Sequence, residues 1–77
     1  MPTVHIIDSI KILIYYDDHL PPHFHAIYNE HEELIEINTL ETYWGKLPNR
    51  KRKKVIEWAS QNQDFLLIKW YGFNLNN

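Results

Sequence analysis

The chain has 77 residues and a formal net charge of −2, with 44% apolar and 23% charged residues, a composition typical of a folded globular domain. It contains no cysteine, so disulfide scaffolds and thiolate metal sites are excluded. No apolar run approaches the roughly 20 residues that a membrane span needs, and the first residues lack a signal-peptide pattern. We therefore expect one domain over residues 1–77 that acts in the cytoplasm and has no membrane partner.

The first half of the chain has the composition of β-strands. Short segments rich in β-branched and aromatic residues alternate with turn-forming residues. Pro21 and Pro22 exclude the loop at 17–22 from the centre of a sheet, and Asn29 and Glu30 have the position of a two-residue hairpin turn. The predicted strands are Val4–Ile7, Ile10–Tyr16, His23–Tyr28, Glu33–Asn38 and a short edge strand at Glu41–Trp44.

The second half is predicted to be helical. Pro48 suits the first turn of a helix, where its missing N–H has no partner to lose. We predict helices at 48–61 and at about 63–72, the second ending near Gly72. Strands followed by helices indicate an α+β fold, with a mostly antiparallel sheet of four or five strands packed on one face by two helices. The predicted core residues are Phe24, Ala26, Ile35, Ile37, Val55, Ile56, Ala59 and Leu66.

Histidines are concentrated around the third predicted strand. Four of the five lie within thirteen residues, at His19, His23, His25 and His31. Successive strand residues point to opposite faces, so His23 and His25 project from the face opposite to Phe24 and Ala26. A two-residue turn after this strand places His23 opposite Glu36.

Three interpretations of these histidines remain open. In the first interpretation, His23 and His25 form a general acid–base pair oriented by Asp18 or Glu36, because histidine titrates near neutrality. Alternatively, they only occupy a solvent-facing strand. A third interpretation is a metal site, but two histidines and a distant carboxylate give at most three loosely placed ligands. We therefore expect no tightly bound metal and no cofactor. If zinc were found, the ligands to test would be His19, His23 and His25.

Five consecutive basic residues run from Arg50 to Lys54 at the start of the first predicted helix. Cations at a helix N-terminus oppose the helix dipole by a few tenths of a kcal/mol each, so this placement suggests a functional reason. Phosphate binding is one interpretation, and a solvated charge run is the other. The predicted nucleic-acid contacts are Arg50, Lys51, Arg52 and Lys54.

Four motifs occur along the chain: the start MPTV, the block DHLPPHFHA at residues 18–26, LPNR at 47–50 and EWA at 57–59. In this order they resemble a small bacterial family known as domain of unknown function 4160, whose members carry DHxPPHFHA, LPxR and EWA. The resemblance covers nearly the whole chain, and DHxPPHFHA is its most specific part. Glu36 falls where the family usually has an acidic residue. The chain departs from the family at Asn29 and Ser9, where glycine is usual, and in its more basic run at 50–54.

The resemblance implies a component of a bacterial two-gene toxin–antitoxin module, because members often lie beside a second small gene. We predict a toxin-like protein that acts on RNA or translation, as a metal-independent ribonuclease. His23 and His25 would be base and acid, Glu36 or Asp18 would orient them, and the basic residues would hold phosphate. The alternative is a non-catalytic regulatory module that binds protein or nucleic acid.

The predicted partner is a small antitoxin-like protein from the adjacent gene. Edge strands offer unpaired backbone groups to such a partner, and the candidate edges are Val4–Ile7 and Glu41–Trp44. RNA and a second copy of the chain are further predicted partners.

Overall fold

Five strands form one antiparallel sheet in the computed structural model, which describes residues 3–16 and 18–74. The strands are β1 (Thr3–Ile7), β2 (Ile10–Leu13), β3 (His23–Tyr28), β4 (His31–Glu36) and β5 (Thr42–Gly45), and the helices are α1 (Asn49–Ser60) and α2 (Gln63–Asn74). The strands pair in chain order, so β1 and β5 are the edges. This confirms the predicted α+β fold. Met1 and Pro2 of the MPTV motif and Asp17 of the predicted loop lie outside the described residues.

Tight turns set the register of the sheet. Asp8 and Ser9 have φ values of 50° and 66°, as both central residues of a type I′ hairpin turn must. Asn29 begins the β3–β4 turn with a φ of 53°, a conformation that asparagine tolerates. The resulting register places His23 opposite Glu36, as predicted.

The core lies between the sheet and one stripe of each helix. Of the predicted core residues, Ile56 is half-buried at the margin of the core. The other seven are buried: Phe24, Ala26, Ile35, Ile37, Val55, Ala59 and Leu66. Burial of each large apolar side chain stabilises the fold by about 1.5–3 kcal/mol. Within the described ranges, neither helix has the length and apolarity to cross a membrane.

Helix α2 extends beyond its predicted end at Gly72. Its last described residue is Asn74, whose side-chain amide donates to the carbonyl of Trp70 at 2.9 Å and to the carbonyl of Tyr15 at 3.3 Å. These bonds satisfy a carbonyl at the helix end and attach α2 to the segment that follows β2.

A buried carboxylate joins β4, β5 and α1. Glu33 is fully buried on the same face of β4 as Ile35. It accepts hydrogen bonds from the Leu47 backbone N–H at 2.9 Å, from Arg52 Nε at 2.8 Å and from the Thr42 hydroxyl. A buried charge needs such partners, so Arg52 has a structural role in the fold.

Candidate functional site

The loop before β3 brings Asp18 to the first residues of that strand. The Asp18 backbone N–H donates to Asn74 Oδ1 at 2.7 Å, so the C-terminal end of α2 holds this loop. The Leu20–Pro21 peptide bond within the loop is cis.

Two imidazoles converge on one oxygen of Asp18. His23 Nε2 lies 3.1 Å and His25 Nε2 lies 3.4 Å from Asp18 Oδ2. One nitrogen from each ring and one carboxylate oxygen all lie within 4.8 Å of one another. We call Asp18, His23 and His25 the histidine–aspartate site.

The Nδ1 atom of each ring contacts a hydrogen-bond acceptor outside the site. His23 Nδ1 lies 2.8 Å from the carbonyl oxygen of Pro21, and His25 Nδ1 lies 2.9 Å from Glu32 Oε2. A carbonyl or carboxylate oxygen only accepts, so both contacts assign a hydrogen to Nδ1. The Nε2 atoms of both rings are therefore directed into the site with their tautomer set.

The two histidines differ in burial. His23 is 1% exposed, with the rings of Trp70 and Tyr43 at 5.2 Å and 5.3 Å from its own. The His25 side chain is 12% exposed and contacts Tyr15 edge-on at 4.3 Å. His25 is thus the outer histidine. The interpretation that the histidines only face solvent does not hold for His23, because His23 is buried.

His19 covers the outer side of Asp18. Its Nδ1 lies 3.1 Å from Asp18 Oδ1, and its Nε2 lies 3.1 Å from the Tyr43 hydroxyl. Partial burial acts to raise the pKa of Asp18, but the backbone N–H of His19, the bond with His25 and the two inner imidazoles outweigh it. The pKa of Asp18 therefore lies below its ordinary value, which favours the carboxylate form.

The predicted orienting residue Glu36 points elsewhere. Its backbone lies opposite His23, but its carboxylate accepts a hydrogen bond from the Thr39 hydroxyl at 2.8 Å. Among the described contacts, the carboxylates at His23 and His25 belong to Asp18 and Glu32. The sequence reasoning missed Glu32, although diagonal neighbours on one face of a hairpin lie within reach of long side chains.

The basic run lies at the other end of β3. Lys51 Nζ is 2.8 Å from Asp8 Oδ2 and 4.6 Å from the centroid of the Tyr28 ring. His23 begins β3 and Tyr28 ends it, which at about 3.3 Å per residue separates their Cα atoms by roughly 16 Å. The described structure therefore does not bring Lys51 to the histidine–aspartate site.

Arg50 and Lys54 of the run also act on Asp8. The hydrogen bond from Lys51 lowers the pKa of Asp8, and the charges of Lys54 and Arg50 act in the same direction. Arg50 and Lys54 are exposed, whereas Arg52 is bound to Glu33. Arg50 and Lys54 are thus the two exposed members of the predicted phosphate-binding set.

The histidine–aspartate site thus offers groups that can exchange protons and donate lone pairs, and it is partly sheltered from solvent.

No curated protein and no solved structure matches the chain significantly. The profile of the family described as Domain of unknown function (DUF4160) matches residues 9–71, a range that includes Asp18, His23, His25 and Glu32. Because this match spans well over half of the chain, the chain belongs to the DUF4160 family.

Proposed function

We propose that this chain is the toxin-like component of a bacterial two-gene toxin–antitoxin module and that it cleaves RNA at the histidine–aspartate site. The observation that carries the proposal is the convergence of His23 and His25 on Asp18, with the far nitrogen of each ring held by an acceptor. Oriented imidazoles beside a carboxylate are the groups that proton transfer requires. The association with a toxin–antitoxin pair comes from the sequence resemblance.

Cleavage of RNA needs a base and an acid. The base takes the proton of a 2′-hydroxyl, whose oxygen then attacks the adjacent phosphorus, and the acid protonates the departing 5′-oxygen. His25 is the proposed base, since it is the outer histidine and Glu32 orients it. The proposed acid is buried His23, which in its doubly protonated form would give up the Nε2 proton beside Asp18 Oδ2, 3.1 Å away. The products are a 2′,3′-cyclic phosphate and a 5′-hydroxyl.

The basic run has a secondary role in this proposal. Arg50 and Lys54 are exposed, but they lie beyond the far end of β3 from His23. They would bind phosphates some nucleotides away from the cleaved bond, which adds affinity without sequence preference.

Induction of the wild-type chain in a bacterial host is expected to arrest growth, and the purified chain is expected to cleave RNA to 2′,3′-cyclic phosphates. His25→Ala removes the base, so cleavage should fall by about 100- to 10,000-fold. Growth curves and end-group analysis of a labelled RNA measure the two effects.

His31→Ala is the matched control, because His31 is an exposed histidine on the neighbouring strand. It should keep both activities, and circular dichroism should show both variants folded. A wild-type chain that neither arrests growth nor cleaves RNA would refute the proposal, as would unchanged cleavage by the His25→Ala variant.

The exposure of β5 favours a second candidate, a regulatory module that binds a protein partner without catalysis. All four residues of this edge strand are exposed, and the exposed fractions of Tyr43 and Trp44 are 44% and 62%. An extended segment of the adjacent-gene product could add to β5 by backbone hydrogen bonds and cover both aromatic side chains.

A complex with the adjacent-gene product is therefore expected by size-exclusion chromatography with light scattering. Trp44→Ala should weaken it by roughly 30-fold, the loss typical of a buried aromatic hot spot. Tyr16→Ala, at a similarly exposed aromatic residue outside β5, should leave it unchanged. Complex formation without growth arrest would favour this candidate over the ribonuclease, and a chain that stays monomeric beside the adjacent-gene product would exclude it.

A further inference from the structure

We infer that Asp18, His23 and His25 form a binding site for one divalent transition-metal ion of the zinc or iron type. This inference does not rest on the proposed cleavage of RNA, and its test measures metal binding alone.

The first observation is a buried nitrogen without a hydrogen bond. His23 Nε2 is buried and has no hydrogen-bond partner, although Asp18 Oδ2 lies only 3.1 Å away. Although His23 Nε2 and Asp18 Oδ2 are this close, they are not aligned as a hydrogen-bond donor and acceptor. Because the Pro21 carbonyl assigns the ring hydrogen to Nδ1, Nε2 presents a lone pair to an oxygen that also carries lone pairs. Two acceptors this close need a positive species between them, either a proton or a cation.

The distances favour a metal cation. Ligand atoms bound tetrahedrally to zinc at about 2.0–2.2 Å lie roughly 3.3–3.6 Å from one another, and their lone pairs point to the metal rather than to each other. The separations from Asp18 Oδ2 are 3.1 Å to His23 and 3.4 Å to His25. A common metal therefore explains both the short contacts and the missing alignment at His23 Nε2. The three ligand atoms lie within 4.8 Å of one another, so side-chain movements of about 1 Å would place all three at bonding distance from one ion.

The groups behind the imidazoles also match a metal site. Metal-binding histidines usually donate their second ring N–H to a carbonyl or carboxylate, which fixes the ring and its tautomer. Here the acceptors are the Pro21 carbonyl at 2.8 Å and the Glu32 carboxylate at 2.9 Å. Both rings are thus prepared to bind through Nε2.

The donor set selects the class of metal. Two imidazole nitrogens and one carboxylate oxygen occur in catalytic zinc sites and in non-haem iron sites, which keep further positions open. Calcium and magnesium prefer sites made of oxygen ligands. The site therefore favours Zn²⁺, Fe²⁺ or Co²⁺ over Ca²⁺ or Mg²⁺.

The expectation of no metal assumed a distant carboxylate and considered His19 as a third ligand. The structure brings Asp18 to both inner histidines, while His19 lies against the other oxygen of Asp18. A bound metal would occupy the nitrogen that His25 needs as a base, so metal binding and proton transfer by His25 are alternative states of one site.

Untagged protein is stripped with a chelator and titrated with Zn²⁺ by calorimetry, and with Co²⁺ by visible absorption. We expect one equivalent of each metal to bind. Asp18→Asn and His25→Ala each remove a ligand and should weaken Zn²⁺ binding by more than 100-fold, and Glu32→Gln should weaken it by about 10- to 100-fold. His31→Ala should leave the affinity unchanged.

Asp18→Asn is the deciding variant because it keeps the size of the side chain, whereas replacing buried His23 is expected to destabilise the fold. Circular dichroism checks that each variant is folded. The inference is overturned if the wild-type chain shows no saturable Zn²⁺ binding. It is also overturned if folded Asp18→Asn and His25→Ala bind Zn²⁺ like the wild type, since exposed histidines such as His19 would then account for the binding.

Discussion

Replacement of Glu33 by alanine is expected to lower the free energy of unfolding by about 3–5 kcal/mol. Glu33 is fully buried and accepts hydrogen bonds from the Leu47 N–H, the Thr42 hydroxyl and Arg52. Alanine would leave the buried Leu47 N–H without its acceptor and Arg52 without its counter-charge. Small domains are stable by only about 5–15 kcal/mol, so a large part of the stability would be lost. Urea denaturation followed by circular dichroism measures the difference.

Glu36→Ala is the matched control on the same strand. Glu36 is half-buried and accepts a hydrogen bond from the hydroxyl of Thr39, which is exposed. Glu36→Ala should therefore lower the free energy of unfolding by about 1 kcal/mol or less. The loss of unfolding free energy in Glu33→Gln should lie between those of Glu33→Ala and Glu36→Ala. The amide oxygen can still accept a hydrogen bond from the Leu47 N–H, whereas the amide nitrogen cannot accept one from Arg52. Equal losses for the Glu33→Ala and Glu36→Ala variants would contradict the structural role of Glu33.

The register of the sheet could be predicted because its causes are local. The two-residue turn that starts at Asn29 and the alternation of apolar residues along β3 together place His23 opposite Glu36 and turn Phe24 into the core. Each of these causes acts over a few residues, and each is visible in the order of residue types.

The sequence predicted His23 and His25 but left the choice between Asp18 and Glu36 open, because the contacts that decide between these carboxylates are distant in sequence. Asp18 reaches His23 through a loop that Asn74 holds, 56 residues further along the chain. Nothing near Asp18 in the sequence indicates that contact. Glu36 was the reasonable choice from backbone register, but a side chain two residues from the directly opposite position, Glu32, makes the contact with His25.

The contacts of the basic run at 50–54 could not be predicted from the sequence either, because they too join residues that are distant in sequence. In the sequence its five members are equivalent cations, and only the tertiary fold separates them. Arg52 binds Glu33, which lies 19 residues earlier, and Lys51 binds Asp8, which lies 43 residues earlier. Charge runs thus predict a basic surface, but not which side chains are already paired within the protein.

Trp70→Ala is expected to lower the free energy of unfolding by about 3–5 kcal/mol, the usual loss when a buried large aromatic side chain is truncated. Trp70 is 1% exposed, whereas the next residue, Tyr71, is 50% exposed. Tyr71→Ala is therefore the control, with an expected change within about 0.5 kcal/mol. Thermal and urea denaturation of the two variants measure the contrast, and similar losses would contradict the packing of α2 described above.

The same side chain connects the core to the histidine–aspartate site, since the Trp70 ring lies 5.2 Å from the ring of His23. Trp70→Phe keeps an aromatic ring in the core but leaves space beside His23, because phenylalanine is smaller. We expect the imidazole NMR signals of His23 to shift in this variant, while those of exposed His31 stay in place. Unchanged His23 signals in a folded Trp70→Phe variant would show that the ring is held by its hydrogen bond to the Pro21 carbonyl and not by the core.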